Sequence, residues 1–473
     1  MTKISLRRVV GLCGVWLSCA LSSLAADRPN VLFIAVDDLR PQLNCYGRTQ
    51  MISPNIDALA ARGVLFERAY CMVPTCGASR AALMTSIRPA RDRFVTHLAW
   101  AEKEAAQAVP LHKQFQQAGY TTLSLGKVFH HPADHANGWS AEPWRSDKPS
   151  YHTPQAKADL AENKRQWPQK KKYNSAPFEA SDTDDSEHRD GDCANRAIAE
   201  LEKFAQTPEQ PFFMAVGFLK PHLPFNAPQK YWDLYDADQI QLPDNYYPPQ
   251  DAPEGAVHNS GELRSYAKIH PTAPVDEATA RQMIHGYYAC VSFTDAQIGR
   301  VVTALDDLGL SQNTIIVLWG DHGWQLGEHG MWNKHSCFET SMHAPLIVSA
   351  PQRADIAAGG RVAGLVEFID IYPSLCELTG LEIPKHVQGT SFVPQMVDPT
   401  LPAKTYAVGR FGAGDTIRSL DSRYSEYTTP QGKITGKMLY NHAADPAENI
   451  NIASQEAETV DQLSKQLNEL KGR

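Results

Sequence analysis

Three uninterrupted apolar runs rich in β-forming residues constrain the fold of this chain most strongly. They are Asn30 to Val36 (NVLFIAV), Pro211 to Phe218 (PFFMAVGF) and Thr314 to Trp319 (TIIVLW). Apolar runs without polar alternation are typical of strands that are buried on both faces of a parallel sheet. Segments with a helical pattern separate them, and this alternation predicts an α/β fold in which helices flank a large, mostly parallel sheet.

The overall composition favours a main domain followed by a smaller one. The 473 residues carry a net charge of -8, and 42% of them are hydrophobic. Such a chain can bury a large core but offers no basic face for nucleic acid. Beyond Pro402 the pattern shortens and predicts a small sheet, with a closing helix from about Ala453. We therefore expect a main domain over residues 27–398 and a C-terminal subdomain over residues 399–473.

The first 26 residues have the pattern of a secretory signal peptide. Lys3, Arg7 and Arg8 precede the apolar run Val9 to Ala20, and small residues follow up to Ala26. The run is shorter than the roughly 20 apolar residues that span a membrane, and no later stretch reaches that length. A short membrane anchor is the alternative. We expect an exported protein, periplasmic or secreted, without a membrane span.

Cleavage of the signal peptide would leave an odd number of cysteines. Cys13 and Cys19 lie in the leader, and seven cysteines follow it. Export permits disulfides, but an odd number leaves one thiol unpaired within the chain. Cys76 is the candidate for that thiol, and the spacing of the other six does not predict any pairing.

Acidic residues follow two of the predicted buried strands. Asp37 and Asp38 come directly after the first, and Asp321 and His322 come after the last. Ligand sites of open α/β sheets lie beyond the carboxyl ends of the strands, so these residues suggest a divalent cation held by oxygen ligands. Solvated loop acids are the alternative interpretation of an isolated Asp-Asp pair.

Cationic and imidazole side chains have similar positions along the chain. Lys127 and His130 follow the predicted strand Tyr120 to Leu125, and His222 follows Pro211 to Phe218. Lys334 closes the stretch WQLGEHGMWNK after the last strand. Each signal is weak alone, because surface lysines and loop histidines are common, but all of them point to one edge of the sheet.

Cys76 stands at the predicted N-terminus of a helix in the run CMVPTCGASRAALMTSIRP. Free backbone N–H groups at such a terminus favour anions, and Arg80 would add a guanidinium donor suited to a tetrahedral oxyanion. The alternative is an inert, buried cysteine, which is the more frequent role of that residue.

Two long polar segments, Ala133 to Asp192 and Tyr231 to Val275, are predicted to be surface loops with little regular structure. They could shape the mouth of a substrate site or be solvated insertions. Between the second segment and the last strand, Glu277 to Leu308 has a helical pattern long enough for one helix or two. No dinucleotide-binding or P-loop motif is present, so nucleotide cofactors are not indicated.

Together these motifs resemble type I sulfatases, and most closely the iduronate-2-sulfatase branch with its exported bacterial relatives. The matching stretches run through almost the whole mature chain: the strand ending in Asp37-Asp38, CGASR, GKVFH, KPHLPF, DHGWQLGEHGMWNK and LYNHAADPAENINIA. The resemblance implies an alkaline-phosphatase-like fold with a smaller C-terminal α+β subdomain.

The resemblance also implies how the site is equipped. A maturation enzyme would convert Cys76 to formylglycine, whose hydrate supplies the nucleophilic oxygen. One Ca²⁺ would be bound by Asp37, Asp38, Asp321, His322 and the modified Cys76. Ala78 replaces the proline of the commonest maturation signature, and alanine is a tolerated variant there.

Roles for the remaining site residues follow from the same resemblance. Arg80 and Lys127 would keep the hydrate poised, while Lys127, His222 and Lys334 would hold the sulfate. His130 would take the proton whose loss re-forms the aldehyde, and His222 would protonate the leaving alcohol, although these two assignments could be exchanged.

The implied function is calcium-dependent hydrolysis of sulfate esters on sugar residues. Sulfated uronic acids or related residues of glycosaminoglycans or algal polysaccharides are the expected substrates, with specificity in the two polar segments. A phosphatase or phosphodiesterase of the same superfold is an alternative, but such enzymes generally need two metals and ligands for only one are evident. A protein with unconverted Cys76 that binds sulfated glycans without turnover is another.

Overall fold

A seven-stranded sheet forms the centre of the computed structural model, which describes residues 28–166, 168 and 174–471. The strands are β1 (Asn30–Val36), β2 (Val64–Tyr70), β3 (Thr121–Gly126), β4 (Phe178–Ser181), β5 (Phe212–Phe218), β6 (Phe225–Pro228), β7 (Thr314–Gly320), β8 (Gln325–Leu326), β9 (Trp332–Asn333), β10 (Leu346–Ser349), β11 (Gly360–Glu367), β12 (Ala407–Phe411), β13 (Gly414–Arg418), β14 (Ser422–Thr428) and β15 (Ile434–Asn441).

Helices connect most of these strands. They are α1 (Pro54–Arg62), α2 (Cys76–Thr85), α3 (Ala101–Glu104), α4 (Leu111–Gln117), α5 (Pro154–Gln166), α6 (Arg189–Phe204), α7 (Gln229–Trp232), α8 (Glu277–Asp307), α9 (Glu339–Met342), α10 (Ile371–Thr379), α11 (Val393–Val397) and α12 (Ala457–Lys471). The helical pattern before the last predicted strand is thus one continuous helix, α8.

The strand order of the large sheet is β11-β2-β10-β7-β1-β5-β3. β1 pairs in parallel with both β5 and β7, and β3 pairs in parallel with β5. β10 is antiparallel to its two neighbours, β2 and β7. The prediction of a large mixed, mostly parallel sheet is therefore confirmed, and the carboxyl ends of β2, β7, β1, β5 and β3 lie along one edge.

Both faces of the sheet are buried, as the apolar runs predict. In β1, Val31, Phe33 and Ala35 belong to one hydrophobic core, which includes residues of α2, α4 and α10. The alternate residues Leu32 and Ile34 belong to a second core, which includes residues of α1, α6 and α8. Helices on both faces hold the central strands and so fix the positions of the residues that follow them.

The C-terminal part contains an antiparallel sheet, β12-β13-β14-β15, against which α12 packs. The smaller α+β subdomain expected from the resemblance is present. α12 begins at Ala457 rather than at about Ala453. The side-chain oxygen of Asn451 accepts hydrogen bonds from the backbone N–H groups of Leu439 and Ala453, at 2.9 and 3.1 Å. These bonds tie the segment before α12 to β15, so the helix starts later than the sequence pattern predicts.

The prediction of little regular structure over Ala133 to Asp192 is wrong. This segment contains α5 and β4, and α6 already begins within it at Arg189. α5 buries only Ala156 and Asn163, so its polar composition is that of an exposed helix. β4 pairs in parallel with β6 and is too short to show a pattern. The second polar segment, 231–275, has only short helical turns, as expected.

The predicted signal peptide, residues 1–26, lies outside the described residues. Within the part that the structure describes, no helix is both long and apolar enough to cross a membrane. The seven cysteines from Cys45 to Cys376 are all free thiols, so Cys76 is unpaired, and it shares that state with the other six.

Candidate active site

The ends of β1 and β7 bring the predicted acidic residues together. Val36 and Gly320 are register partners, so the residues that follow them lie side by side. The backbone N–H of Asp38 donates to Asp321 Oδ1 at 3.0 Å. Asp38 has a φ of 60°, in the left-handed region that few residues other than glycine, Asn and Asp adopt. The turn therefore directs two adjacent carboxylates into the same buried site.

These carboxylates and His322 form a donor set suited to a hard divalent cation. His322 Nδ1 lies 2.9 Å from the carbonyl oxygen of Gly323 and must donate to it, because a carbonyl only accepts. His322 Nε2 then offers its lone pair, 3.4 Å from Asp38 Oδ1 and 3.6 Å from Asp321 Oδ1. Asp37 is also fully buried. Three carboxylates and one imidazole nitrogen thus fit the oxygen-rich coordination that Ca²⁺ prefers.

The electrostatic environments of Asp37 and Asp38 differ. Burial opposes ionisation of Asp37, but the charges of Lys127 and Arg80 hold its pKa well below the usual range. Burial raises the pKa of Asp38 well above its usual range; Lys334 opposes this shift and Asp37 adds to it. Asp38 is therefore the carboxylate that would gain most from a bound cation.

Cys76 is the first residue of α2, a helix whose residues are all buried. Its Sγ lies 3.4 Å from His322 Nε2 and 4.0 Å from Asp38 Oδ1, so the structure brings it to the acidic cluster. Burial and the neighbouring Asp37 raise the pKa of the thiol. The side chain at this position thus faces the proposed cation site directly.

Arg80 lies one turn along α2 and bridges two of the acidic residues. Its Nε donates to Asp321 Oδ2 at 2.9 Å and its Nη2 to Asp37 Oδ1 at 3.0 Å. Its Nη1 donates to the carbonyl oxygen of Val128 at 2.8 Å. Arg80 is fully buried, so it fixes the cluster and the start of the Lys127 segment in relation to α2.

Two lysines supply further positive charge. Lys127 Nζ forms an ion pair with Asp37 Oδ2. Lys334 Nζ lies 3.2 Å from each carboxylate oxygen of Asp38 and 4.8 Å from the centre of the Trp324 ring. Burial opposes both charges, but the nearby carboxylates raise the pKa of each lysine above its usual value. Both ammonium groups therefore remain charged beside Cys76.

The two predicted histidines lie in different surroundings. His222 Nε2 is 3.8 Å from Asp38 Oδ2, and burial together with the charge of Lys334 lowers its pKa to about 3. His130 lines the same cavity as Asp37 and Lys127, and its buried Nδ1 has no hydrogen-bond partner among the described residues. Burial and the charge of Lys127 lower the pKa of His130 to about 2. Burial thus favours the neutral form of both rings.

Glu262 belongs to the site but is absent from the sequence-based set. Its Oε2 lies 2.9 Å from Lys334 Nζ, and its Oε1 lies 3.3 Å from His222 Nε2. Burial opposes its ionisation, but Lys334 and His222 lower its pKa. It comes from the irregular segment 231–275, where no strand end marks it, so no local pattern could have revealed it.

All the predicted site residues therefore come together at one edge of the sheet, where a cavity of about 640 Å³ opens beside them. Asp37, Lys127, His130 and His222 line this cavity. The family model described as Sulfatase matches residues 29–381.

The chain belongs to the sulfatase family. The Iduronate 2-sulfatase of Mus musculus is 33% identical over 404 residues, which cover 79% of this chain and 73% of that protein. A protein named Sulfatase from Formosa agariphila is 33% identical over 443 residues, covering 90% of this chain and 83% of the relative. Membership shows that the protein is a sulfuric ester hydrolase.

A solved structure supports the fold of this sulfatase. The phosphonate monoester hydrolase of Agrobacterium radiobacter superposes with a TM-score of 0.76 at 23% identity, covering 94% of this chain and 96% of that one. At this identity the likeness concerns the fold alone. The expected alkaline-phosphatase-like architecture is thereby confirmed.

Proposed function

We propose that this sulfatase is an exported, calcium-dependent enzyme that removes sulfate from sugar residues through a formylglycine made from Cys76. The observation that carries the proposal is the position of Cys76 Sγ, 3.4 Å from His322 Nε2 and 4.0 Å from Asp38 Oδ1. An oxygen nucleophile built on this side chain would be next to the proposed cation site and within the electrostatic influence of Lys127 and Lys334.

The nucleophile in this proposal is one hydroxyl of the formylglycine hydrate. When present, this group would supply an oxygen nucleophile for the sulfur of the ester, and the proton that it gives up would go to the departing sugar alcohol. Removal of the proton of the second hydroxyl by a base would release inorganic sulfate, and water would restore the hydrate.

The proposed roles of the cations follow from their positions. Lys127 pairs with Asp37 and Lys334 with Asp38, and both are candidates to contact the oxygens of the sulfate group. Fixed positive charges in a buried site stabilise the charge that develops on those oxygens. Arg80 is held by two carboxylates, so its proposed contribution is to keep Cys76, Asp37 and Asp321 in a fixed arrangement.

The proposed proton transfers use His130 and His222. His222 lies beside Lys334 and Glu262 and is the candidate acid for the leaving alcohol, a role for which its ring must first take up a proton. His130 lines the cavity, its Nδ1 has no hydrogen-bond partner among the described residues, and it is the candidate base whose proton uptake would release the sulfate. Ca²⁺, held by Asp37, Asp38, Asp321, His322 and the modified Cys76, would supply electrostatic stabilisation of the sulfate oxygens.

The substrate class rests on the relatives. The two relatives described above are each 33% identical, and the one from Mus musculus is named Iduronate 2-sulfatase. We therefore propose sulfated uronic acids or related residues of glycosaminoglycans or algal polysaccharides. Export, to the periplasm or beyond the cell, would place the enzyme where such polymers are met, and a maturation enzyme would act on Cys76 on the way.

The decisive experiment is mass spectrometry of the tryptic peptide Ala69 to Arg80 from protein made in the native host. Conversion of Cys76 predicts a loss of about 18 Da relative to the unmodified peptide. Cys71 lies in the same peptide, so one alkylatable thiol should remain and provides an internal control. Hydrolysis of 4-nitrophenyl sulfate should accompany the mass change.

Matched variants separate the possible outcomes. Cys71→Ser should retain conversion and activity, whereas Cys76→Ala should lose both. Protein that carries unmodified Cys76 yet binds sulfated sugars without releasing sulfate would contradict the proposal and support a binding protein instead.

A further inference from the structure

The cavity beside the site extends well beyond the residues that would handle the sulfate group. Its volume of about 640 Å³ exceeds what a single sulfate needs. Arg145, Lys157 and Arg189 line it together with Lys127 and His130. These added residues come from the polar segment before and around α5 and from the first residue of α6. The wall of the cavity is therefore basic.

Arg145 and Arg189 have only neutral partners among the described residues. Arg145 Nη2 donates to the carbonyl oxygens of Phe129 and His130, at 2.5 and 3.1 Å. Arg189 Nε donates to the carbonyl oxygen of Lys148 at 2.7 Å. Within the part of the chain that the structure describes, neither guanidinium is within ion-pair distance of a carboxylate, unlike Arg80.

The acids that line the cavity are already engaged. Asp37 is paired with Arg80 and Lys127. Asp190 accepts hydrogen bonds from the backbone N–H groups of Leu219 and Lys220, at 2.8 and 2.7 Å. Desolvation of the guanidinium lowers the pKa of Arg145 to about 10, the charges of Arg80 and Arg189 add to this shift, and Asp37 opposes it. Both arginines line the cavity without a carboxylate partner among the described residues, so an anion bound there could pair with them.

We propose that Arg145 and Arg189 form a second anion subsite, which binds a carboxylate or a second sulfate group on the sugar substrate. This inference rests on the proposed function and narrows it to substrates with at least two anionic groups. A planar guanidinium matches carboxylate and sulfate oxygens with paired hydrogen bonds, which a single charged atom cannot do. The contact of Arg145 with the backbone of His130 places the subsite next to the proposed base.

The subsite should affect sugars but not simple aryl esters. Arg145→Ala and Arg189→Ala should each lower kcat/KM for a monosulfated uronate disaccharide by about 10- to 100-fold, mainly through KM, because a charged hydrogen bond is lost. The kcat/KM of Arg189→Ala for 4-nitrophenyl sulfate should stay within about twofold of the parent enzyme, because Arg189 donates to the backbone of Lys148 and not to the segment of the proposed base. Arg145→Lys should recover part of the loss.

Three comparisons make the result specific. The carboxyl-reduced disaccharide should be a poorer substrate for the parent and should be insensitive to Arg145→Ala if the subsite binds the carboxylate. A disulfated sugar without a carboxylate should be the sensitive substrate if the subsite binds a second sulfate. Arg165→Ala removes the same charge from the exposed end of α5 and should change nothing.

Binding can be measured without turnover. In a Cys76→Ala background, calorimetry should show that Arg145→Ala weakens binding of the preferred anionic sugar by about 10- to 100-fold. This measurement remains informative if the parent protein does not hydrolyse 4-nitrophenyl sulfate, a result that would count against the proposed function. Equal losses on aryl and sugar substrates, or no loss in the binding of any anionic sugar, would overturn the subsite.

Discussion

Glu262 is brought to the site from the irregular segment 231–275. It contacts both Lys334 and His222, the two side chains proposed to hold the sulfate and protonate the leaving group. We expect Glu262→Gln to lower kcat about 10-fold with a smaller change in KM, because a group that orients catalytic side chains is lost. Steady-state kinetics should show this split, and Glu254→Gln in the same irregular segment should be silent. A change in KM alone would contradict the positioning role.

His112, which is not one of the proposed site residues, provides a test of pH-dependent stability. Its ring is buried and stacks on Trp139, with 4.0 Å between the centroids, and burial lowers its pKa to about 3. Because the folded-state pKa is below the unfolded value of about 6.5, His112 stabilises the fold above that pH and loses this contribution as pH falls toward 3.

The expected slope is about 1.4 kcal/mol of unfolding free energy per pH unit within that window. His112→Gln should lower stability at neutral pH but flatten this dependence, as measured by urea unfolding at pH 7, 6 and 5. An unchanged slope would show that His112 does not titrate in this way.

At the residue scale, the sequence predicts the position of a polar side chain best when that residue directly follows a strand. Asp37, Lys127, His222 and Asp321 each follow a buried strand, and parallel pairing brings such positions together. Glu262, Arg145 and Arg189 lie in polar segments and do not directly follow a buried strand. Only the folded structure therefore shows that they are near the site.

At the scale of elements, the start of α2 packs closely against the backbone of His97, and its second residue, Gly77, has no room for a side chain. A Cβ atom on Gly77 would lie 2.2 Å from the carbonyl oxygen of His97, well inside the contact distance. We expect Gly77→Ala to destabilise the protein by about 1–3 kcal/mol and to reduce activity, because α2 must shift and move Cys76. Thermal unfolding and aryl sulfate hydrolysis would measure the two effects.

Gly261→Ala is the matched control, since its nearest neighbour, a side-chain oxygen of Asn259, is 3.4 Å away. If Gly77→Ala left stability and activity unchanged, the loop 94–97 would have to move away from the added methyl group at no measurable cost, and the prediction would be contradicted. The requirement at Gly77 could not be predicted from sequence, because the contact is made by a loop further along the chain.

Helices and strands were predicted more accurately where their apolar patterns are longer and more regular. The central strands have long apolar patterns and were predicted correctly, and the helical pattern of α8 was identified without deciding between one helix and two. By contrast, α5 is exposed along most of its length and resembles a loop in composition. A polar helix gains little from burial, so its sequence carries little of the periodicity that identifies helices.

For the whole molecule, calcium should act on stability as well as on activity. Asp37, Asp38 and Asp321 are completely buried, so a bound cation would offset their mutual repulsion. Ligand at 100 times its Kd adds about 2.7 kcal/mol to the free energy of unfolding. Chelation should therefore lower the melting temperature and Ca²⁺ should restore it, whereas Asp38→Asn should abolish the response. A melting temperature independent of Ca²⁺ in the parent would contradict the proposed cation site.

The C-terminal subdomain is joined to the main sheet by buried charges, and this connection gives the last prediction. Glu339, on α9, pairs with Arg418 at 3.0 Å and with Arg423, and it accepts a hydrogen bond from the hydroxyl of Tyr70 at 2.7 Å. Tyr70 ends β2, the strand that leads to Cys76, so the subdomain supports the segment that presents the proposed nucleophile.

Removing the charge of Glu339 leaves buried guanidinium groups without full compensation. Glu339→Gln should therefore destabilise the protein by about 3–5 kcal/mol. The predicted boundary near residue 398 divides the chain into a main domain and a C-terminal subdomain. If these two units unfold cooperatively, calorimetry of Glu339→Gln should show one transition at a lower temperature than that of the parent protein, and activity should be lost in the same transition. The exposed pair formed by Arg353 and Asp355 is the control, because Asp355→Asn should change stability by less than about 1 kcal/mol. A separate early transition with activity retained would show that the subdomain is not needed to hold the Cys76 segment in place.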